Sequence, residues 1–473
     1  MNRFKLMAMA TLAAGAFALS ACGGANNAAK PPVGNQPAGN AGNDAAPADN
    51  QSGKDNGGED KTPEVVDVGK LRKQQVEQAW TFLKTQYNKP PSQDDPRGLL
   101  SGWGPQSMNV PYTALVLQGL VGTDVWKSDD PMFRDSLDWL LKSQEPSGAW
   151  SYMPGVEQFK GIRAVYITGI MAQLLSDLNE MDAWKGKLDS YIGLAVDYLK
   201  QSQVGNDGGP APDYDENTTG YGGWAYSKEE IADSVGKRGK PPANMSTTSF
   251  AIDALHQCGV SEDDPLWDKA LTFLKRSQNA GEVQDEGFEA FATVTDENGK
   301  KVEKKVKMAG KDSPDYGGAI YSEETSMADG YDANEDGSVT LFSYGSMTYN
   351  LLRAYIFAGL SKDSLPVKLA RGWIQRNYTV ERVPGFRKPE QYEMGLYYYY
   401  LSMSKTLETL GEDTIEEPDR GLKHDWRKDV VSKLGELQSD DGSWINEKHD
   451  RWQENSRVLC TAYALNALRH TNK

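Results

Sequence analysis

Cysteine is scarce in this chain. Its 473 residues carry three, Cys22, Cys258 and Cys460, too few for a disulfide-built scaffold. Basic charge is also in deficit. A net charge of −16 and a pI near 4.9 argue against nucleic acid as a partner and against direct docking on anionic lipid. Long apolar runs are missing after the first 20 or so residues. The sequence holds no Gly-x-Ser-x-Gly, no His-Glu-x-x-His and no phosphate-binding loop, so the common nucleophile, metalloprotease and nucleotide signatures are absent.

At the N-terminus, Arg3 and Lys5 precede the short run "LMAMATLAAGAFAL". The run is too short to span a bilayer and reads as an export signal over 1–21. It ends in Leu19-Ser20-Ala21-Cys22, which resembles the lipobox of bacterial lipoproteins. The resemblance implies cleavage before Cys22, acylation of that cysteine and a stable lipid anchor in the membrane. Gly23 after the cysteine implies the outer rather than the inner membrane of the cell envelope. Residues 22–67 are mostly Gly, Asn, Ala, Pro, Asp and Gln. Such a segment cannot bury enough apolar surface to offset chain entropy, which predicts a disordered tether.

Residues 68–473 repeat themselves. "SLDWLLKSQ" ending at Gln144 returns as "AVDYLKQSQ" at Gln203 and "ALTFLKRSQ" at Gln278. Weaker copies end at Tyr87, Tyr378 and Gln438. Each copy precedes a second helical pattern, such as Ile167, Ile170, Met171, Leu174, Leu175 and Leu178. The unit is helix–loop–helix, six times over, and six such pairs can stack openly or close into a ring.

Two stretches carry a family resemblance. Trp139-Leu140-x3-Gln144-x3-Gly148-x-Trp150 and Leu437-Gln438-x3-Gly442-x-Trp444 resemble the QW repeats of squalene and hopene cyclases. The same repeat class occurs in protein prenyltransferase β subunits. Repeat three has a split form, Gln203 then Gly222-Gly223-Trp224, and repeat four has Ala319 at the tryptophan position. The resemblance implies an all-α fold, the α6/α6 toroid with inner helices around a central cavity. In such a unit the glutamine is expected to satisfy a helix end, the glycine to make the turn, and the tryptophan to pack on the next repeat.

The chemistry of those families is missing. No Asp-x-Asp-Asp acid, no Asp-Asp-x-x-Asp and no zinc-binding Asp-x-Cys occurs. Cys258-Gly259-Val260-Ser261 lacks the glutamine of a thioester motif. Cys258 and Cys460 fall on apolar stripes of repeats three and six, which lie opposite each other in a closed ring, and both are expected to be free thiols. One metal signal remains. Asp332-x-Asn334-x-Asp336-Gly337 matches the start of an EF-hand calcium loop, but Ser343 stands where the bidentate glutamate belongs. The alternatives are Ca2+ and an acidic surface turn.

The loops of repeats three and four are far longer than the others, and Asn298-Gly299 in the latter predicts a β-hairpin. Both loops leave the same end of their helix pairs, so they should form one rim, a common binding face. Asp213, Asp215, Tyr221, Trp224, Asp315, Tyr316, Tyr344 and Tyr397 are the candidate ligand-binding residues there. An aromatic mouth would suit an apolar or carbohydrate ligand. Asp213, Asp215, Asp315 and Glu323 are the carboxylates from which a hydrolase or lyase would draw its pair. The other readings are a binding or scaffold protein and a diverged terpenoid cyclase. No residue is singled out as catalytic.

Overall fold

The computed structural model describes residues 67–88, 101–152, 161–234 and 243–472. The chain divides into Met1–Val66 and Asp67–Lys473, and only the second unit contains described residues. Cys22, the export signal and nearly all of the tether therefore lie outside them.

Two kinds of helix alternate along the chain. The first kind is amphipathic: α1 (Val68–Thr85), α3 (Pro131–Lys142), α5 (Asp189–Gln201), α8 (Leu266–Arg276), α10 (Leu365–Arg376) and α12 (Trp426–Leu437). In α8, Leu266, Ala270, Phe273 and Leu274 are buried on one face while Lys269 and Lys275 stay outside it. The second kind is buried nearly all round: α2 (Asn109–Leu120), α4 (Ala164–Asn179), α7 (Met245–Gln257), α9 (Gly345–Phe357), α11 (Leu396–Leu410) and α13 (Arg457–Arg469). Every residue of α2 is buried, as expected of a helix covered on all sides.

These inner helices pack in sequence, α2 on α4, α4 on α7, α7 on α9, α9 on α11 and α11 on α13. The circuit then closes, because α13 packs on α2 and α12 on α1. The arrangement is mostly helical and compatible with an α/α toroid-like fold. A short helix, α6 (Lys228–Ser234), lies in the long loop before α7. Among the described residues no helix is long and apolar enough to cross a membrane.

The chain is not purely helical. Three antiparallel hairpins interrupt it: β1 (Phe291–Thr295) with β2 (Lys301–Lys305), β3 (Tyr331–Ala333) with β4 (Val339–Leu341), and β5 (Ile415–Glu417) with β6 (Leu422–His424). The first two hairpins share a small apolar core of Ala290, Ala292, Val294, Val306, Ile320, Val339 and Leu341.

The recurring Gln–Gly–Trp pattern forms the joints. Gln144, Gln203, Gln278 and Gln438 each donate to the carbonyl of their own glycine and to one in the next outer helix. For Gln438 the second acceptor is Gln75 in α1, at 3.0 Å, so the last joint is the seam that closes the circuit. Gly148, Gly222, Gly317 and Gly442 all have positive φ, and a Cβ on any of them would collide with a carbonyl of that next helix. The tryptophan also makes a polar bond within its own repeat. Trp103, Trp150, Trp224 and Trp444 donate their indole N–H to the last turn of their own outer helix, at Leu83, Leu140, Leu199 and Leu434. It gives a second donor to Leu83, Leu140 and Leu199, whose carbonyls also accept from Gln86, Ser143 and Ser202, while the polar reach to the neighbour is made by the glutamine. Where repeat four has Ala319, Trp373 from α10 bonds to the Pro314 carbonyl.

Candidate functional site

Both long loops lead into the N-terminal ends of inner helices. The first N–H groups of a helix lack partners within it, and loop carbonyls supply them. Tyr226 O accepts from Val165 at the start of α4, and Tyr321 O accepts from Met245 at the start of α7. This backbone pairing holds both tyrosines at the N-terminal ends of inner helices.

There they meet rings from the inner helices. Tyr166 of α4 lies 4.7 Å from Phe250 of α7, and Phe250 lies 6.4 Å from Tyr398 of α11. Tyr398 lies 5.8 Å from Tyr463 of α13. Tyr226 stands edge-on to Tyr166 at 5.7 Å, and its hydroxyl is 2.7 Å from that of Tyr321. Tyr166, Tyr226, Tyr321 and Tyr398 are half-buried, and we call this partly exposed aromatic layer the tyrosine floor. Burial pushes Tyr166, Tyr321 and Tyr344 well above the usual phenol range, which keeps them protonated donors at neutral pH. The Arg163 guanidinium stacks on Tyr226 at 4.0 Å. Burial opposes its charge, but Tyr226, Tyr152 and Glu230 outweigh burial and hold it protonated.

Backbone strain is gathered at the same end. Among the described residues four non-glycines have positive φ: Arg163, Asp329, Trp452 and Gln453. All four lie in loops that enter inner helices. Such conformations cost of order 1–3 kcal/mol each and concentrate at functional sites. Arg451 ties this group together. It bonds to Asp329 at 2.6 Å, and its guanidinium lies 4.5 Å from the Trp452 ring.

Farther along the inner helices, polar side chains from different repeats bond to one another. A threonine in five inner helices, Thr113, Thr168, Thr248, Thr348 and Thr461, accepts from the backbone N–H at the joint. Five residues later in each helix comes Gln118, Gln173, Asp253, Arg353 or Asn466, and α11 adds Lys405 at the same level. Asp253 accepts from Arg353 at 2.9 and 3.0 Å and from Lys405 at 2.9 Å. Lys405 also donates to Gln173. Burial opposes the Asp253 charge, yet Arg353 and Lys405 together hold its carboxyl below the usual range. Burial lowers Lys405. The void among these groups is about 10 Å³, room for about one water molecule.

The sequence candidates scatter around this geometry. Asp213 and Asp215 are exposed, and Asp215 accepts from Asn217 and Thr218 in its own turn. Trp224 is a joint residue, fully buried. Tyr221 is half-buried beside Gly205. Tyr316 donates to Glu282, away from the axis. Asp315 is buried, accepts from Ser343 N at 2.8 Å and pairs with Arg387, and burial raises it to about 6. Glu323 is buried, accepts from Gly220 N at 2.9 Å and is pushed up to about 7 by burial. Asp315 thus braces the loop just before α9, and Glu323 ties the two long loops together through Gly220. Tyr344 abuts the floor, and Tyr397 is buried behind it, bonding to the Ile445 carbonyl.

Asp332, Asn334 and Asp336 sit in the β3–β4 hairpin. Asp332 pairs with Arg387 at 3.0 Å and Asp336 with Lys307 at 2.9 Å, while Asn334 donates to Ser338 and Thr340. The carboxylates thus face protein cations, and no cluster of three metal-binding side chains occurs among the described residues. Cys258 and Cys460 are free thiols. Sequence reasoning missed the polar layer and the strained turn. The layer had a signal, a threonine followed five residues later by a polar side chain, but the polar residue changes type in almost every repeat.

No protein-family model and no curated protein matches the chain. Solved structures do. A variant of the type II terpene cyclase MstE from Scytonema, in complex with merosterolic acid A, aligns with TM-score 0.44 and 12% identity over 85% of this chain and 97% of that one. A second MstE variant, with geranylgeranyl dihydroxybenzoate, gives 0.43 and 14% over 85% and 98%. Ligand-free MstE gives 0.42 and 12% over 84% and 98%.

Proposed function

We propose that this chain is an exported lipoprotein, anchored through Cys22, whose α6/α6 toroid of six repeats binds a ligand at its tyrosine-floored mouth without transforming it. The observation that carries the reading is the buried Asp253–Arg353–Lys405 cluster on the inner helices. A ligand the size of a polyprenyl chain needs a pocket of hundreds of Å³, whereas the cavity beside this cluster is about 10 Å³ and mostly polar in its lining side chains. A cation generated in alkene cyclisation also needs a strong buried acid, and Asp253 sits between two cations that keep it ionised.

The second reading is a diverged terpenoid cyclase. It rests on the terpenoid cyclase-like arrangement of helices, and fold does not fix function. The two separate on one experiment. Purified protein incubated with squalene and with geranylgeranyl substrates should return them unchanged, and any cyclic product refutes the binding reading. The anchor is tested by labelling with a palmitate analogue. Cys22→Ala should abolish both the label and membrane fractionation, and a labelled variant would overturn it.

A further inference from the structure

Twelve tryptophans occur in the chain, and Trp452 is the only exposed one, at 43%. The others are buried or half-buried among helices. Trp452 is also held in the left-handed region, with φ of 55°, and Gln453 follows at 67°. A solvent-facing indole on a strained backbone is doubly costly, so the fold must hold it there.

The supports are specific. Gln453 N donates to Asp450 O, and Asn446 N donates to Glu454 O. The Glu454 carboxylate, fully buried, accepts from Tyr397 N and Tyr398 N at 2.9 and 3.0 Å and from Asn446 Nδ2 at 2.9 Å. Gln453 Oε1 accepts from Tyr112 at 2.9 Å. The indole lies against Gly395, where a Cβ would stand 3.0 Å from the ring. Arg451 lies over the indole and bonds to Asp329, itself left-handed. An exposed indole thus stands beside a guanidinium and a carboxylate, both of which lie close enough to Tyr344 to act on its phenol.

We propose that Trp452, Arg451 and Asp329 form a platform for a sugar ring of an uncharged glycan chain. The apolar C–H face of a pyranose stacks on an indole, while its rim hydroxyls both donate and accept. Asp329 supplies acceptors and Arg451 donors beside the ring. The tyrosine hydroxyls beyond would meet the next sugar. Preorganisation of the turn lowers the ordering cost of binding. A chain of net charge −16 repels polyanions, which selects uncharged sugars over uronic or sulfated ones.

This inference rests on the mouth being a binding site, and the test separates the two. Isothermal titration and tryptophan fluorescence would be run on the full chain in detergent with cello-, xylo-, malto- and chito-hexaoses and with an oligogalacturonate. One uncharged series should bind and perturb the emission. Trp452→Ala should weaken that binding about tenfold or more, Trp452→Phe less, with unchanged far-UV circular dichroism as the fold control. Absence of binding by every uncharged series overturns the glycan proposal, as does Trp452→Ala binding like the parent or preference for the oligogalacturonate. If sugar binding survives Trp452→Ala but falls in Tyr398→Phe and Tyr226→Phe, the mouth reading stands and the platform fails.

Discussion

The two ends of the inner-helix circuit are built on opposite terms. At the end where the helices start, half-buried tyrosines, four left-handed residues and an exposed tryptophan accumulate strain and uncovered surface. Toward the end where they finish, Asp253, Arg353 and Lys405 are buried and bonded to one another. Nearby, Arg469 pairs with Asp177 and His470 with Glu408. One end leaves aromatic surface uncovered, and the other pairs its polar groups with one another. A folded domain is marginally stable, so strain at the mouth is tolerated because the far end and the joints are closed.

That contrast can be broken most severely at Asp253. Asp253→Ala leaves two buried cations uncompensated and should cost about 3–5 kcal/mol in denaturant unfolding, whereas replacing all three charges with apolar residues of similar size should recover much of it. A second test is acidity. Glu323 and Glu454 are raised to about 7 by burial, so the folded state holds their protons more tightly than the unfolded chain does. Stability from these groups therefore falls as pH rises from about 4.5 to 7. Glu323→Gln should show a smaller gain in Tm on acidification from pH 7.5 to 5 than the parent. Asp253, held low, acts in the opposite sense, and its contribution is lost as pH falls through its folded pKa.

The smaller effects lie at the mouth. Trp452→Gly removes both the exposed indole and the left-handed penalty, and should stabilise by about 1 kcal/mol while abolishing ligand binding. A destabilised variant would deny that strain is stored there. Tyr398→Phe removes hydrogen bonds to Ser246 at 3.1 Å and Asn350 at 2.9 Å and should cost about 1 kcal/mol.

Much of the scaffold is readable from periodicity. Helix pairs leave a 3.6-residue pattern, and glutamine, glycine and tryptophan recur because every joint solves the same problem. Asp440 and Asp441 in "QSDDGSW" fall among the variable positions of that joint. Asp441 accepts from Ser443 in its own turn, while Gln438 spans to α1. The site is far less readable. Tyr226 and Tyr321 lie 95 residues apart yet share a hydrogen bond. Trp452 resembles any loop tryptophan until its φ and exposure are seen. Of the sequence candidates, Tyr344 abuts the floor, while Asp315 and Trp224 turn out to be internal supports.

The helix–loop–helix unit and the positions of its joints are written in the residues themselves, because they are local patterns of residue type. Folding sets which tyrosines meet, that Asp253, Arg353 and Lys405 are buried together, and that Asp315 accepts from Ser343. Those outcomes depend on contacts between side chains from different repeats, and no local pattern encodes which rings or charges will face one another.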